Sequence, residues 1–328
     1  MTPSMRAVVC RRFGPPEDLD VAHVPSPPLS AGQVRIAVRA CGVNFPDVLM
    51  IQGLYQLKPP FPFSPGLEVA GDIVEVAGNV RDLQVGQRVI ATMMYGGFAE
   101  EVVVPATTVL PMPVEMSYEH GAGFPLVYGT SHVALTHRAQ LKAGETLLVL
   151  GAAGGVGLTA VELGKHLGAR VIAAASSPEK LELARSYGAD ELIDYTSENL
   201  RDRLNELTKG GGVDVIYDPV GGDIFDQALR RIAWEGRYLI IGFASGRIPS
   251  LPANIALLKN ASIIGTFWGA YLQNDPGVIR ASFAVLTDWY AAGVLKPHIH
   301  KVFALADAAS ALRQLIDRRA MGKVLLKT

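Results

Sequence analysis

Leu150-Gly151-Ala152-Ala153-Gly154-Gly155-Val156-Gly157 is the stretch that decides the fold of this chain. The unbroken apolar run Thr146 to Leu150 leads into it. A helical stripe at Val156, Ala160, Leu163 and Leu167 leads out of it. A strand that turns through glycines into a helix opens a dinucleotide-binding unit. Gly154 and Gly155 let backbone amides approach a pyrophosphate, and Gly157 lets helix and strand pack closely. The helix N-terminus offers unpaired N–H groups and a partial positive charge to that anion. Ala152 stands where the fingerprint usually has its first glycine, a departure at the tight turn.

Downstream, strand and helix patterns alternate. Apolar runs at Arg170 to Ala175, Glu191 to Asp194, Val213 to Tyr217, Arg237 to Gly242 and Ala261 to Thr266 read as further strands. Ser177-Pro178 reads as an N-cap and first helical residue, Gly188 as that helix's stop, and Leu200, Leu204 and Leu207 as another helical stripe. Near-continuous apolar strands suit a parallel sheet covered on both faces. The expectation is α/β, with a doubly wound parallel sheet of six strands. The second strand selects the dinucleotide. An NAD site usually carries an acid about 20 residues after the loop, to bind the ribose hydroxyls. Here Ala173-Ala174-Ala175 runs into Ser176 and Ser177, with Lys180 one helical turn on. Without a carboxylate to repel a 2′-phosphate, and with a lysine and hydroxyls to attract it, NADP is the expected cofactor.

The first third differs. Fifteen of the 21 prolines lie at or before Pro125. Arg6 to Cys10, Gln33 to Ala40, Gly71 to Val76, Gln87 to Thr92 and Ala99 to Val104 read as short strands between turns, an irregular β-rich domain or barrel. The tail returns to mixed structure, with helices at Pro276 to Ala292 and Asp307 to Arg319 and a closing strand at Lys323 to Leu326. The chain's 328 residues suit two domains, and a 49% hydrophobic share is ample for a core. A formal net charge of −1 gives no electrostatic footprint for nucleic acid. No apolar run suits a membrane helix or signal peptide, so a cytoplasmic protein is expected. Cys10 and Cys41 alone make neither a disulfide framework nor a cysteine metal cluster.

Ala40-Cys41-Gly42-Val43-Asn44, Pro65 to Gly71 and Val85-Gly86-Gln87-Arg88-Val89, taken with the glycine loop, resemble the medium-chain dehydrogenase/reductase superfamily over nearly the whole chain. The resemblance implies a GroES-like β-rich catalytic domain over 1–127 and 270–328, interrupted by a Rossmann doubly wound domain over 128–269. Zinc-dependent members have cysteine at the place of Asn44 and histidine at the place of Leu67, and often a four-cysteine lobe. This chain has none of these, so no metal site is expected. Gly42 to Asp47, Gly53-Leu54-Tyr55, Tyr217 to Gly222 and Gly265 to Tyr271 place the resemblance in the zinc-free quinone oxidoreductase branch.

That branch implies a homodimeric NADPH-dependent reductase of quinones or related enones. It implies cofactor contacts at Asn44, Thr130, Gly154, Gly155, Val156, Ser176, Ser177, Lys180, Tyr195, Gly242, Phe243, Ala244, Ser245, Phe267, Trp268 and Arg318. Hydride would pass from the nicotinamide to an electron-poor acceptor at the carboxyl ends of the sheet strands. Negative charge on the acceptor oxygen would be met by hydrogen bonds from Asn44, Tyr55, backbone amides or water. Tyr55 is the candidate proton donor, with a lid contact as its other reading. Asp47 reads equally as a helix-start carboxylate or a group orienting the site. His298 and His300 could pair on a metal, though strand histidines are more often hydrogen-bonded or exposed. The alternatives to a quinone reductase are an alkenal or enoyl-thioester reductase and, outside enzymes, an RNA-binding or structural role.

Overall fold

The computed structural model describes residues 4–328. The chain forms two compact units, Met1–Pro125 with Trp289–Thr328, and Leu126–Asp288. In chain order the first contains β1 (Ser4–Val9), β2 (Asp20–Pro25), β3 (Gln33–Val43), α1 (Phe45–Ile51), β4 (Glu68–Val76), β5 (Arg88–Thr92), β6 (Glu101–Pro105), β7 (Val109–Pro111) and α2 (Tyr118–Ala122). Then come α3 (Pro125–His132), β8 (Thr146–Leu150), α4 (Gly155–His166), β9 (Arg170–Ala175), α5 (Pro178–Ser186), β10 (Glu191–Asp194), α6 (Leu200–Leu207), β11 (Val213–Asp218), α7 (Gly222–Leu229), β12 (Ile232–Ile240), α8 (Ala253–Lys259), β13 (Ser262–Gly265), α9 (Trp268–Asn274) and α10 (Pro276–Ala291). The first unit closes with β14 (Ile299–Ala304), α11 (Ala308–Ile316) and β15 (Lys323–Lys327).

In the second unit all six strands run parallel, in the order β10-β9-β8-β11-β12-β13. The order reverses between β8 and β11, the switch point at which doubly wound sheets bind ligands. Residues 147–150 of β8 and 171–175 of β9 are buried throughout, as expected of strands covered on both faces. β13 is the exception: it forms the sheet's edge and none of its residues is fully buried. The family resemblance implies a second junction at 269/270, and the compact units meet at Asp288 and Trp289, inside α10. The indole of Trp268 packs edge-on to Phe283, and His132 Nδ1 lies 2.9 Å from Ser282 Oγ, which ties α9 and most of α10 to this unit.

The first unit is built on a seven-stranded sheet ordered β14-β15-β3-β4-β5-β7, with β6 also paired to β3, and a β1-β2 ribbon. β3 alternates half-buried and buried residues at its start, then is buried on both faces from Ala40 to Val43. The pairing of β3 with its two neighbours sets the surroundings of Asn44. β15 runs antiparallel to β3 with Val324 opposite Val43 and Leu325 opposite Gly42, so Lys323 falls beside Asn44. β4 runs antiparallel on the other side with Val69 opposite Cys41, which brings Glu68 to Gly42. Two sheet registers thus converge on the residue that begins α1. Among the described residues no helix is long and apolar enough to cross a membrane.

Candidate active site

The glycine loop leaves β8 at the switch point. Gly151 adopts a left-handed φ of +60°, and its carbonyl accepts the Gly154 N–H at 2.9 Å. The tight turn's conformational demand therefore falls on Gly151, while Ala152 is buried and its N–H donates to the Ala174 carbonyl of β9 at 3.1 Å. This explains how the fingerprint tolerates alanine at 152. A Cβ on Gly157 would overlap the Gly151 carbonyl oxygen and approach Gly151 C to 2.9 Å and Ala152 Cα to 3.0 Å, so helix and strand pack at glycine distance. Gly154 caps α4 without a side-chain bond, leaving first-turn N–H groups for an anion.

Beneath the loop lies a polar floor that the sequence did not reveal. Ser131 Oγ, beside the expected cofactor residue Thr130, donates to the Val156 carbonyl at 2.9 Å and lies 2.8 Å from both Thr159 Oγ1 and Tyr217 Oη. These bonds join α3, α4 and β11 under the helix start. Burial pushes the Tyr217 hydroxyl well above the usual phenol range, so it stays protonated.

Ser176 and Ser177 follow β9, with no acid beside them. Ser177 Oγ caps α5 by accepting the Lys180 N–H at 3.4 Å, while its own O–H remains a donor. Lys180 Nζ donates to Ser176 Oγ at 3.2 Å. Tyr195, just after β10, donates its N–H to the Ala175 carbonyl at 3.2 Å, which brings it to the same corner. Ser176, Lys180 and Tyr195 thus stand at one corner of the sheet.

Across the switch point, Asp218 shapes the second loop. Its Oδ1 accepts the Val220 and Gly221 N–H groups at 2.7 and 2.9 Å, and its Oδ2 accepts the Tyr238 hydroxyl at 2.8 Å. The segment with Gly242, Phe243, Ala244 and Ser245 runs alongside, the Ala244 and Ser245 N–H groups donating to Pro219 and Val220 carbonyls at 3.0 and 2.9 Å. Neither Asp218 nor Tyr238 was predicted; both act on the loop's shape from below. At the end of β13, Phe267 is half exposed. Trp268 is buried: a Cβ on Gly129 would lie 2.8 Å from its Nε1. The Trp268 side chain therefore serves packing. Among the described residues its Nε1 and the buried Thr266 Oγ1 have no hydrogen-bond partner.

Asn44 and Tyr55 lie in the first unit. Asn44 is buried, and its amide is fixed from two sides. Oδ1 accepts from Lys323 Nζ at 2.6 Å, and Nδ2 donates to Glu68 Oε1 at 2.9 Å. Lys323 Nζ also lies 2.6 Å from Glu68 Oε1 and 3.1 Å from the Val43 carbonyl. Gly42 makes room, since a Cβ there would overlap the Glu68 carboxylate. Asp47, fully buried in α1, accepts the Asn44 N–H at 2.8 Å and the Gly66 N–H at 3.0 Å. Burial pushes its carboxyl up to about 7, against those two bonds and the Lys323 charge. Tyr55 is half-buried; burial, then the Asp47 charge, raises its hydroxyl, so it is a protonated donor. Arg318 is exposed after α11 with a left-handed φ of +56°.

The zinc-site frame does not fit zinc in this chain. Leu67 has no donor atom, and the Asn44 amide and Glu68 carboxylate already hold an ammonium. Burial keeps Cys41 a thiol, bonded to the Gly97 carbonyl at 2.7 Å. His298 and His300 gain no third ligand: among the described residues no three His, Cys, Asp or Glu side chains converge on one point.

A parallel doubly wound sheet with a glycine loop at its switch point, joined to a GroES-like β unit, defines the dinucleotide-dependent dehydrogenases and reductases. Residues 155–284 match the zinc-binding dehydrogenase family and residues 30–114 the alcohol dehydrogenase GroES-like domain. The chain is 42% identical over 328 residues to a quinone oxidoreductase-like protein 2 homolog of Nematostella vectensis, covering 99% of this chain and 89% of that protein. It superimposes on Escherichia coli quinone oxidoreductase complexed with NADPH with a TM-score of 0.92 at 27% identity, over 98% of this chain and 100% of that one. CurK enoyl reductase matches with a TM-score of 0.89 at 28% identity, over 100% and 99%. The chain belongs to the zinc-free quinone oxidoreductase branch of the medium-chain dehydrogenase/reductase superfamily, and it is an oxidoreductase.

Proposed function

We propose that this protein is an NADPH-dependent reductase of quinones and related conjugated carbonyls. The observation that carries the cofactor choice is the Ser176–Lys180 pair at the end of β9, in the place of an acid, beside a glycine loop built for a pyrophosphate. The NADPH complex of the E. coli relative supports the same choice. Bound there, the dinucleotide supplies a hydride. Gly154, Gly155 and Val156 would hold the pyrophosphate, Ser176, Ser177, Lys180 and Tyr195 the 2′-phosphate end, and Thr130, Gly242 to Ser245 and Phe267 the remainder.

The direction follows from the first unit's chemistry. An alcohol must lose a hydroxyl proton as it is oxidised, which zinc-bearing relatives assist by coordination. Asn44 and Leu67 offer no such assistance, and Lys323 is already engaged with three oxygens. A conjugated carbonyl needs only hydrogen bonds to its developing oxyanion, which Asn44 Nδ2 and the Tyr55 hydroxyl donate. The quinone oxidoreductase-like relatives favour quinones, and the enoyl reductase neighbour keeps enoyl thioesters as the second reading. A net charge of −1 does not favour RNA as a ligand. Two buried free thiols suit the reducing cytoplasm. A homodimer is favoured by the β13 edge together with α8, where Leu257 and Leu258 are 76% and 71% exposed.

The deciding experiment is NADPH oxidation by purified protein against simple quinones, alkenals, enoyl-CoA and, in reverse, primary alcohols. Quinone turnover with NADPH preferred to NADH, and negligible alcohol oxidation, is expected. Enoyl-CoA or alkenal turnover far above quinone turnover transfers the assignment to the second reading; efficient alcohol oxidation defeats both.

A further inference from the structure

We propose that Lys323 is the positioning residue of this site: its ammonium is the built-in cation that fixes the Asn44 amide and strengthens it as a donor. The proposal rests on the reading of Asn44 as a group that meets the reacting oxygen.

An ammonium has three protons. Lys323 Nζ has three oxygens within reach, from the Val43 carbonyl, Asn44 Oδ1 and Glu68 Oε1, at 3.1, 2.6 and 2.6 Å. Each oxygen comes from a backbone position that the sheet registers bring to this point. The side chains of Lys323 and Glu68 are 5% and 0% exposed. A buried ion pair is a poor device for stability alone, because apolar residues of similar volume generally serve as well.

What this pair does is choose between the two orientations of an amide. Turned over, Asn44 would set its NH₂ against the ammonium and its oxygen against the carboxylate. As placed, Oδ1 faces the cation and one Nδ2 proton is held by Glu68 at 2.9 Å. Among the described residues the second Nδ2 proton meets only the Gly42 carbonyl at 3.4 Å, a long contact that a better acceptor can replace. A cation on Oδ1 draws electron density from Nδ2, so that remaining N–H is a stronger donor than a free amide. It is the proton Asn44 can offer to an oxygen that gains negative charge.

The test uses the full-length protein and four variants: Lys323→Met, which keeps the volume of the stem, Lys323→Ala, Asn44→Ala, and Asn44→Ala with Lys323→Met. Lys323→Met should lower kcat about 10–100-fold, the scale of a charge-assisted hydrogen bond, with KM for NADPH changed less than about threefold. The double variant should be no slower than Asn44→Ala alone, because Lys323 acts through that amide. Millimolar ethylammonium should restore several-fold activity to Lys323→Ala and leave the wild type unchanged. A crystal structure of Lys323→Met should show the Asn44 amide turned or displaced. Wild-type kcat in Lys323→Met, or losses that multiply in the double variant, would overturn the proposal. If the wild type turns over no quinone, enone or enoyl thioester, the functional reading fails separately. The crystal structure then decides alone: an unmoved amide refutes the positioning role and a displaced one sustains it.

Discussion

Gly154 and Gly157 sit in one loop but should fail in opposite ways when replaced by alanine. At Gly157 the new methyl meets backbone on every near side: the Gly151 oxygen, Gly151 C at 2.9 Å and Ala152 Cα at 3.0 Å. No side chain can swing aside, so α4 must back away from β8. Overpacking of this kind costs about 3 kcal/mol at its upper end, and alanine recovers about 1 kcal/mol of helix propensity. The net is about 2 kcal/mol, or a fall in Tm of about 4–8 °C. At Gly154 the backbone has φ −76° and ψ 172°, which alanine adopts freely. Its methyl meets only the Gly151 oxygen, at 3.3 Å, and is otherwise in open space at the helix start. Stability should fall by at most about 1 kcal/mol, the gap between glycine and alanine at an N-cap. That open space is where a pyrophosphate must approach the helix amides, so Gly154→Ala should weaken NADPH binding at least about tenfold. The assays are thermal melting of the apo-protein and fluorescence titration with NADPH. A Gly157→Ala protein that melts like the wild type, or a Gly154→Ala protein that keeps its NADPH affinity within about twofold, would refute the division of labour.

Four further outcomes are expected. Lys180→Ala should weaken NADPH binding by about 1–3 kcal/mol and leave NADH nearly unchanged, by titration; equal losses would show that Lys180 does not read the 2′-phosphate. Asp47 titrates at about 7 in the folded chain against 3.8 in the unfolded one, so the folded state binds more protons between those values. Stability should therefore fall by up to about 4 kcal/mol as pH rises from about 4 to about 7, then level off, a slope that Asp47→Asn should lack; parallel stability curves would contradict this. Analytical ultracentrifugation at micromolar concentration should find a dimer that Leu257→Glu with Leu258→Glu dissociates, and a monomeric wild type would remove the β13 edge as the seam. Prolonged chelation should leave activity unchanged, and activity that vanishes and returns with zinc would overturn the account of Asn44 and Leu67.

The nucleotide unit was legible because its signals are local. A loop such as Gly151 to Gly157 makes backbone demands within a few residues, and the β8 and β9 runs are apolar because both faces are covered. The Ser176–Lys180 contact spans one helical turn. Legibility fails where the chain is irregular or exposed. β12 starts at Ile232 rather than Arg237, since Glu235 has a left-handed φ of +57° and the pairing with β11 shifts register. β2 escapes a sequence reading because its residues are all exposed or half-buried and carry no apolar run. The burial of Trp268 beside Gly129 was not legible, because an aromatic after a strand looks the same in sequence whether it faces a ligand or the core.

The Asn44 cluster is illegible for a deeper reason. Lys323 and Asn44 are 279 residues apart in sequence, and nothing near either announces the other. Lys323 opens the apolar closing strand and Glu68 lies in the apolar run from Leu67 to Ala70, and neither position marks a charge partner. Only the antiparallel registers of β15 on β3 and of β3 on β4 bring them together, with Gly42 leaving the space a side chain would fill. Once assembled, the charges constrain one another. Removing Lys323 would leave a buried carboxylate uncompensated beside Asp47, whose carboxyl burial already pushes toward neutrality. The cage of three oxygens therefore requires a cation, and the chain supplies its own on β15. That same cation dictates which way the Asn44 amide points, so the electrostatic demand of the fold and the donor geometry of the site are met by one side chain.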